Sequence, residues 1–161
     1  MMEVAEVVER KYLDCVRTLL REYATQMSDD EFTDADLWRR NIERELRELP
    51  DGCLPPDGCL LIGLCEDMPV GCVALKKLDE DGACEMRRMF IKPEFRGLHL
   101  GRMLAEKIIE KARDLGYTRM KLDTLPSMQR AQSLYSALGF RPIAPYNDDP
   151  LKEAVFMELV L

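Results

Sequence analysis

The N-terminal third of the chain carries apolar side chains at helical spacing in two separate runs. Apolar positions recur every three or four residues over 12–27 and again over 37–49. This spacing predicts two amphipathic helices, and Asp34 or Asp36 is the predicted N-cap of the second. The short apolar run 4–8 fits either a first strand or an extension of the first helix.

The middle of the chain changes to short β-like runs and then returns to helical spacing. Residues 59–65 and 70–75 are apolar and are separated by a short polar turn, which predicts a hairpin. A third apolar run, 86–91, ends before a proline and is followed by a turn at 94–97. Helical spacing then covers 99–116, where a glycine favours the end of the helix. The predicted order is three antiparallel strands, a glycine-bearing turn and a long helix.

The C-terminal part adds one more strand, one more helix and a hairpin. Residues 117–123 alternate as a short strand, and residues 128–138 have helical spacing, with Ser127 as the predicted cap. The runs 140–143 and 154–161 predict a final hairpin around a polar loop. The whole order predicts a mixed α/β fold on a mostly antiparallel sheet.

Length, composition and charge narrow the class of protein. The chain has 161 residues, of which 47% are hydrophobic and 33% charged, so we expect one domain over residues 1–161. No apolar run is long enough to span a bilayer and no signal peptide is evident, so we expect a cytoplasmic protein without a membrane partner. The net charge of −7 argues against nucleic acid as a partner and is compatible with a cationic, amine-bearing substrate.

Six cysteines stand in a chain with a single histidine, His99. No C-x-x-C pair occurs, so the spacing favours neither a zinc site nor a redox motif, and we expect no metal. A nucleophilic cysteine would need His99 as its base, and this histidine already belongs to the turn before the long helix. We therefore interpret most of the cysteines as small, buried apolar side chains.

The turn before the long helix combines the features of an anion site. Gly97 and Gly101 lie close to the first N–H groups of the helix, where the helix dipole is positive, and Arg96 and Arg102 add full charges. The pattern is neither G-x-x-x-x-G-K-[ST] nor G-x-G-x-x-G. From these residues alone, a pyrophosphate cradle and an ordinary structural turn are about equally well supported.

Two motifs resemble landmarks of the GNAT N-acetyltransferase superfamily. The first, Arg96-Gly-Leu-His-Leu-Gly101, is similar to the acetyl-CoA signature R/Q-x-x-G-x-G/A and follows a strand, as in that family. The second consists of Ala131, Leu134-Tyr135 and Leu138-Gly-Phe140 on the following helix. The two motifs at the expected separation are more specific than either one, and the resemblance extends from about Leu60 to the C-terminus.

The chain departs from the family pattern at two positions. His99 stands where the first motif has its central glycine, which normally lets the backbone come close to the phosphates. His99 in place of this glycine is therefore expected to affect the affinity for the cofactor and not the identification of the motif. Met128 stands where many members have an asparagine that contacts the pantetheine, so no polar contact is expected from this position.

The resemblance implies both a fold and an activity. The fold is α/β (α+β), with a mixed, mostly antiparallel sheet of about six to seven strands and about four helices, splayed at the acetyl-CoA site. The activity is direct transfer of an acetyl group from acetyl-CoA to a primary amine of a small molecule, an amino acid or a protein. The alternative is a catalytically silent acyl-CoA-binding module. A third interpretation is a structural domain that only shares the fold, which would require that the loop at Arg96 binds no cofactor. Members of the family are often dimers, so a homodimer is a further expectation.

Two side chains are the candidate catalytic residues. Glu85 resembles the strand glutamate that takes the amine proton in some members, directly or through water; as an isolated strand residue it also fits a solvated surface position. Tyr135 resembles the tyrosine that protonates the leaving thiolate, although a tyrosine at this place on a helix also packs in a core.

The resemblance also assigns the residues that would bind acetyl-CoA and the acceptor. Backbone groups of the strand would pair with the pantetheine arm as an added strand, and N–H groups of the loop would hold the pyrophosphate. The cofactor residues are Met89, Phe90, Ile91, Arg96, Gly97, Leu98, His99, Leu100, Gly101 and Arg102. Segments 28–38 and 146–151 are expected to shape the acceptor pocket, with Phe32 and Trp38 in its wall. Each of these two aromatics, taken singly, is more typical of an anchor in the core.

Overall fold

The computed structural model describes residues 1–30, 34–49, 53–147 and 153–161. Its strands are β1 (Met2–Glu6), β2 (Cys59–Cys65), β3 (Met68–Lys77), β4 (Ala83–Ile91), β5 (Arg119–Thr124), β6 (Arg141–Ile143) and β7 (Val155–Val160). Its α-helices are α1 (Arg10–Ser28), α2 (Ala35–Glu48), α3 (Leu100–Asp114) and α4 (Gln129–Ala137). In these residues, no helix combines the length and the apolar character needed to cross a membrane.

The strands form one sheet in the order β1-β2-β3-β4-β5-β7-β6. All neighbouring pairs are antiparallel except β4 and β5, which are parallel. These two strands pair only over residues 83–85 and 119–121, so the rest of β4 separates from β5. A mostly antiparallel sheet of seven strands with four α-helices confirms the predicted fold class.

Alternation along the strands divides the apolar core between the two faces of the sheet. On one face, Leu61 and Leu75 share a buried cluster with Leu104 of α3. On the other face, Leu60 shares a cluster with Leu19 of α1. The central strands β2 and β3 are therefore buried on both sides, and β3 pairs with β4 beside the gap that opens in the sheet.

Two alternatives left open by the apolar pattern are decided by the fold. Residues 2–6 form a strand that pairs with β2 and are not an extension of the first helix. Asp34, and not Asp36, caps α2, because its carboxylate accepts the Leu37 N–H at 3.3 Å. The predicted C-terminal hairpin is present as the antiparallel pair β6 and β7.

The predicted cap of α4 is wrong. The N-cap residue of α4 is Met128, and no side chain caps this end of the helix. The Ser127 hydroxyl instead donates to Asp30 Oδ2 at 2.7 Å. The Ser127 hydroxyl therefore bonds to Asp30, which follows α1, and does not cap α4 as the local sequence pattern predicted.

Candidate active site

β4 contains a bulge where it separates from β5. Arg87 pairs with Ala74 and Phe90 pairs with Cys72, so two residues of β4 face one residue of β3. Arg88, inside the bulge, has a left-handed backbone with φ +54°. A bulge bends its strand and increases the local twist, so this irregularity accompanies the opening of the sheet.

Beyond the bulge, the ladder directs one set of backbone groups into the gap. Lys92 N–H donates to Val70 O at 2.9 Å, so Ile91 is not hydrogen-bonded to its partner on β3 and its own N–H and C=O face the gap. Phe90, one residue earlier, directs its backbone groups to β3 by the same alternation. The Ile91 carbonyl already accepts a bond from Arg96 Nε at 2.9 Å, which leaves its N–H for an added strand.

The N-terminus of α3 presents backbone donors beside this gap. The first helical hydrogen bond runs from Met103 N–H to His99 O at 3.0 Å. The N–H groups of Leu100, Gly101 and Arg102 therefore have no acceptor within the helix. Together with the positive end of the helix dipole, they form a site suited to a phosphate or another anion.

The loop before α3 has a left-handed backbone at two positions. Gly97 has φ +84° and His99 has φ +64°. A Cβ atom added at Gly97 would meet nothing within 4 Å, so the requirement there is conformational. His99 occupies a position where an L side chain is strained, which gives a physical reason why glycine suits this place in the loop.

These donors line a groove of about 780 Å³ between the end of β4, the start of α3 and α4, which we call the α3 groove. Arg96 lies in its wall, bound to Gln26 Oε1 at 3.0 Å in addition to Ile91. Arg102 is held by Glu106, with Nε to Oε1 at 2.6 Å. Arg130 of α4 also lines the groove, a cation that the sequence motif does not include.

A second cavity, of about 670 Å³, lies between α2 and the face of β3, β4 and β5, and we call it the Glu85 cavity. Glu85 is 8% exposed. Its carboxylate accepts a hydrogen bond from Tyr146 Oη at 2.7 Å and forms an ion pair with Arg87, whose Nε lies 3.2 Å away. The interpretation of Glu85 as a solvated surface residue is therefore wrong. Burial and the adjacent Glu85 carboxylate raise the pKa of Tyr146, so its hydroxyl remains a neutral donor.

Strand register surrounds Glu85 with cations. Its partner on β3 is Lys76 and its partner on β5 is Lys121, and directly paired residues point to the same face of a sheet. Arg87, two residues along β4, lies on that face as well. The Glu85 carboxylate therefore lies among three cationic side chains and one hydroxyl donor.

Trp38 belongs both to the core and to the wall of the Glu85 cavity. It is 1% exposed, and its Nε1 donates to Ala24 O of α1 at 3.3 Å. The Arg88 guanidinium lies over its ring, 4.9 Å from the ring centre. Trp38 thus anchors α2 to α1 and also lines the cavity. Phe32, the other aromatic predicted for this wall, lies outside the described residues.

Arg88 also connects α2 to the bulge of β4. Its Nε donates to Glu45 Oε2 at 2.9 Å. Burial alone would raise the pKa of Glu45, but Arg88 and then Arg87 outweigh burial and hold that pKa below its ordinary value. A largely buried ion pair of this kind ties the helical wall of the cavity to its floor.

Tyr135 lies where the two cavities meet. The residues that line both of them are Tyr23, Met27, Met89, Met128, Ala131 and Tyr135. Tyr135 is 5% exposed, and its ring centre is 5.7 Å from that of Phe140. Burial raises its pKa, so the hydroxyl stays protonated at neutral pH. The side chain thus packs in the core and also borders both cavities.

The cysteines confirm their interpretation as apolar side chains. All are free thiols, and four of the six are buried. Burial raises the pKa of Cys59 to about 11 and that of Cys72 and Cys84 to about 12, which disfavours the nucleophilic thiolate. Over the described ranges, no three His, Cys, Asp or Glu side chains are grouped so that they could hold a metal ion.

Sequence reasoning missed the side chains that complete the two cavities. They are Tyr23, Gln26, Lys76, Arg87, Lys121 and Arg130. Lys76 and Lys121 do not stand out in the sequence, since their strands carry other charged residues, Lys77 on β3 and Arg119 and Asp123 on β5. Only the strand register shows that both flank Glu85.

The gap between β4 and β5 thus brings together the free N–H groups of a helix N-terminus, a buried carboxylate and a buried tyrosine. The chain belongs to the Acetyltransferase (GNAT) family, whose model matches residues 14–140. It is 36% identical over 148 residues to an uncharacterised N-acetyltransferase of Schizosaccharomyces pombe, which covers 91% of this chain and 87% of that protein. The predicted family and the prediction of an acetyltransferase enzyme are confirmed.

Other relatives share only part of their length with this chain. Human N-acetylaspartate synthetase is 33% identical over 87 residues, which cover 54% of this chain and 29% of that protein. Among solved structures, PaiA N-acetyltransferase from Thermoplasma acidophilum in complex with coenzyme A superposes with a TM-score of 0.78, covering 100% of this chain and 99% of that one. Because the two sequences are only 17% identical, this similarity is evidence for the shared fold and not for a shared substrate.

Proposed function

We propose that this protein transfers the acetyl group of acetyl-CoA directly to a primary amine. The observation that supports this most is the meeting of two cavities at Tyr135. One cavity has an anion site at the start of α3, and the other has a buried carboxylate, Glu85, on its floor. A donor with phosphates at one end and a reactive thioester at the other suits the first cavity, and an amine suits the second.

The α3 groove provides the contacts that acetyl-CoA needs. Its pyrophosphate would accept from the free N–H groups of Leu100, Gly101 and Arg102. The pantetheine arm would lie along the gap, where the Ile91 N–H faces it as an unpaired strand edge would. The thioester would then reach the junction bordered by Met89 and Tyr135.

The transfer balances with three proton movements. An ammonium group is not nucleophilic, so it first gives one proton to Glu85, directly or through water, and Glu85 releases that proton to solvent. The amine nitrogen then attacks the thioester carbonyl carbon, a C–N bond forms, and the C–S bond breaks with its electron pair on sulfur. Tyr135 donates its proton to the departing thiolate, and the second proton of the nitrogen, lost as the amide forms, passes through Glu85 or water and restores the Tyr135 hydroxyl. Burial, which raises the tyrosine pKa, also raises the basicity of a thiolate placed beside it.

The acceptor is proposed to be a small amine that enters the Glu85 cavity. Trp38 would form part of the cavity wall, and Phe32 is proposed for the same wall. The name of the relative N-acetylaspartate synthetase refers to an N-acetylated amino acid, which supports an acceptor of this size. Direct transfer is supported by the high pKa values of the buried thiols, which are poor candidates for an acyl-enzyme.

Thiol release from acetyl-CoA in the presence of a panel of amines tests this proposal. We expect Glu85→Gln to lower kcat/KM about 100-fold and Tyr135→Phe to lower kcat about 100-fold, as for loss of a general base or acid. Acetyl-CoA affinity, measured by calorimetry, should stay within about threefold in both variants. Tyr117→Phe is the matched control, since Tyr117 bonds to Asp57 O and lines neither cavity.

The same data separate the competing functions. Acetyl-CoA binding without acetylation of any amine would favour the silent acyl-CoA-binding module. Absence of acetyl-CoA binding in the wild type would contradict the proposal at its first step.

A further inference from the structure

The charges that line the Glu85 cavity are unevenly distributed. The side formed by α2, β3 and β4 holds the cations Arg44, Lys76, Arg87 and Arg88. The same side holds the carboxylates Glu45 and Glu85 inside the cavity and Glu48 and Asp79 at its exposed rim. The rim carboxylates are well solvated, so the interior residues decide the field that a bound molecule meets.

Two of these cations are already paired inside the cavity. Arg88 donates to Glu45 Oε2 at 2.9 Å through its Nε. Arg87 is shared, with its Nε 3.2 Å from Glu85 and its Nη2 3.8 Å from Glu45. Both interior carboxylates are therefore engaged by Arg87 and Arg88.

The other two cations have no such partner. Among the residues that the structure describes, neither Lys76 nor Arg44 has a carboxylate within 4.0 Å of its charged nitrogen atoms. Arg44 has a polar contact with Asn41 Oδ1 at 3.5 Å. Lys76 lies near enough to Glu45 to contribute to the lowered pKa of that group. Lys76 is half-buried whereas Arg44 is exposed, so Lys76 is the cation without a carboxylate partner, among the described residues, that a molecule bound inside the cavity would meet.

The cation on the opposite side of the cavity is paired. Lys121 lies 2.5 Å from Glu80 and 3.8 Å from Glu158, and Glu80 is shared with Arg119 at 2.6 Å. Asp123, on the same side, contacts Asn147 at 3.4 Å. Among the residues that the structure describes, Lys76 therefore differs from Lys121, its counterpart across Glu85, in having no carboxylate partner.

We infer that the acceptor is an amino acid whose free carboxylate binds Lys76, with Arg44 at the cavity mouth, while its amine lies at Glu85. Lys76 and Glu85 are direct partners across β3 and β4, and such side chains start roughly 5 Å apart. The Lys76 nitrogen nevertheless lies more than 4.0 Å from the Glu85 carboxylate, so the two groups are not paired with each other and one amino acid can place its amine at Glu85 and its carboxylate at Lys76. The inference rests on the proposed acetyl transfer, because that reaction requires the amine to face Glu85.

The same charges disfavour other amines. A polyamine would bring its second cation towards Lys76, Arg44 or Arg87, where like charges repel. An amine with an apolar remainder would enter a polar cavity without satisfying Lys76. The carboxylate, by contrast, gains a charge-assisted hydrogen bond that its decarboxylated counterpart lacks.

Matched substrates test this inference. L-leucine, L-lysine and L-tryptophan are compared with the amines that remain after loss of the α-carboxylate, each as acceptor for acetyl-CoA. We expect the wild type to prefer at least one of the amino acids over its matched amine by about tenfold or more in kcat/KM, as a charge-assisted bond predicts. Lys76→Met should raise KM for that amino acid about tenfold, leave KM for the matched amine unchanged, and leave acetyl-CoA affinity unchanged.

Two variants control for trivial effects. Lys76→Arg keeps the charge and should retain most of the preference. Lys77→Met removes the neighbouring, exposed lysine, which does not line the cavity, and should behave as the wild type. A preference for the decarboxylated amines, or a preference that survives in Lys76→Met, overturns the inference and leaves the proposed function intact.

If no tested amine is acetylated, a measurement of amino-acid binding can still test the carboxylate site. Calorimetric titration of each amino acid into the protein with CoA present would then be compared between the wild type and Lys76→Met. Binding that weakens about tenfold in Lys76→Met would support the carboxylate site even though the proposed catalysis had failed. Absence of amino-acid binding, or equal binding by both proteins, would overturn the inference.

Discussion

The α3 groove and the Glu85 cavity meet at Tyr135, but they are built from different parts of the chain. The groove takes its polar groups from the backbone of one continuous stretch, the end of β4 and the start of α3. The cavity takes its polar groups from side chains on α2, β3, β4, β5 and the loop that holds Tyr146. A backbone site depends on conformation, whereas a side-chain site depends on which elements are brought together.

This difference predicts how the two sites respond to substitution. The donors of the groove are N–H groups that every residue except proline carries, so many side-chain changes leave them in place. The cavity has no such redundancy, because its charges belong to individual side chains and the paired ones depend on a particular partner, as Arg88 does on Glu45. Donor binding is therefore expected to tolerate variation, and acceptor choice is expected to follow single residues.

Gly101→Glu should have the largest effect, because it places a negative charge among the free N–H groups of α3. Two like charges at about 4 Å repel by about 4 kcal/mol at the effective dielectric of a protein surface, so we expect acetyl-CoA affinity to fall about 1,000-fold. Calorimetric titration of acetyl-CoA and of CoA measures this. Unchanged affinity would mean that the phosphates bind elsewhere, and that the N–H groups of α3 do not form the cofactor site.

Gly101→Ala separates charge from volume in that experiment. A Cβ atom at Gly101 would lie 3.8 Å from Leu134 Cδ2 and 3.9 Å from Ile91 Cγ1, which are ordinary contacts. We therefore expect this variant to bind acetyl-CoA within about threefold of the wild type. A large loss in Gly101→Ala would mean that close approach, and not charge, limits binding at this position.

Glu45→Gln should have the next largest effect, which is a loss of stability of the folded protein. It leaves Arg87 and Arg88 without their shared buried carboxylate, which costs about 3 kcal/mol in the free energy of unfolding. Denaturant unfolding measures this loss. Glu48→Gln, an exposed carboxylate on the same helix, is the control and should change stability by no more than about 0.5 kcal/mol.

The pH dependence of stability gives Glu45 a second readout. The pKa of Glu45 is lower in the folded protein than its ordinary value of 4.5. Its contribution is thus fully present above about pH 4.5 and is lost as the pH falls through the folded-state pKa. Glu45→Gln should lack this part of the acid-dependent loss. Equal acid sensitivity in the two proteins would contradict the buried ion pair.

The sequence predicted the groove better than the cavity for the same physical reason. Arg96 to Gly101 is one local stretch, so its turn, its free N–H groups and its family resemblance can all be seen without knowing the fold. Lys76, Glu85 and Lys121 are adjacent only through strand register. The wrong cap at Ser127 has a related cause, since its hydroxyl is taken by Asp30, a residue distant in sequence.

His99 and Gly97 provide the smallest and most local test, because they share a left-handed backbone and differ in side chain. His99→Gly removes the strain of an L residue at φ +64° but adds the conformational freedom of glycine to the unfolded chain, so we expect a gain of at most about 1 kcal/mol. Gly97→Ala introduces the same strain and should cost about 1 kcal/mol, although no atom lies within 4 Å of the new Cβ. Urea unfolding measures both.

Acetyl-CoA should bind His99→Gly at least as tightly as the wild type, since the N–H groups that hold the phosphates are unchanged. Weaker binding would instead assign the imidazole a direct role in the groove, and the backbone would no longer account for the site alone.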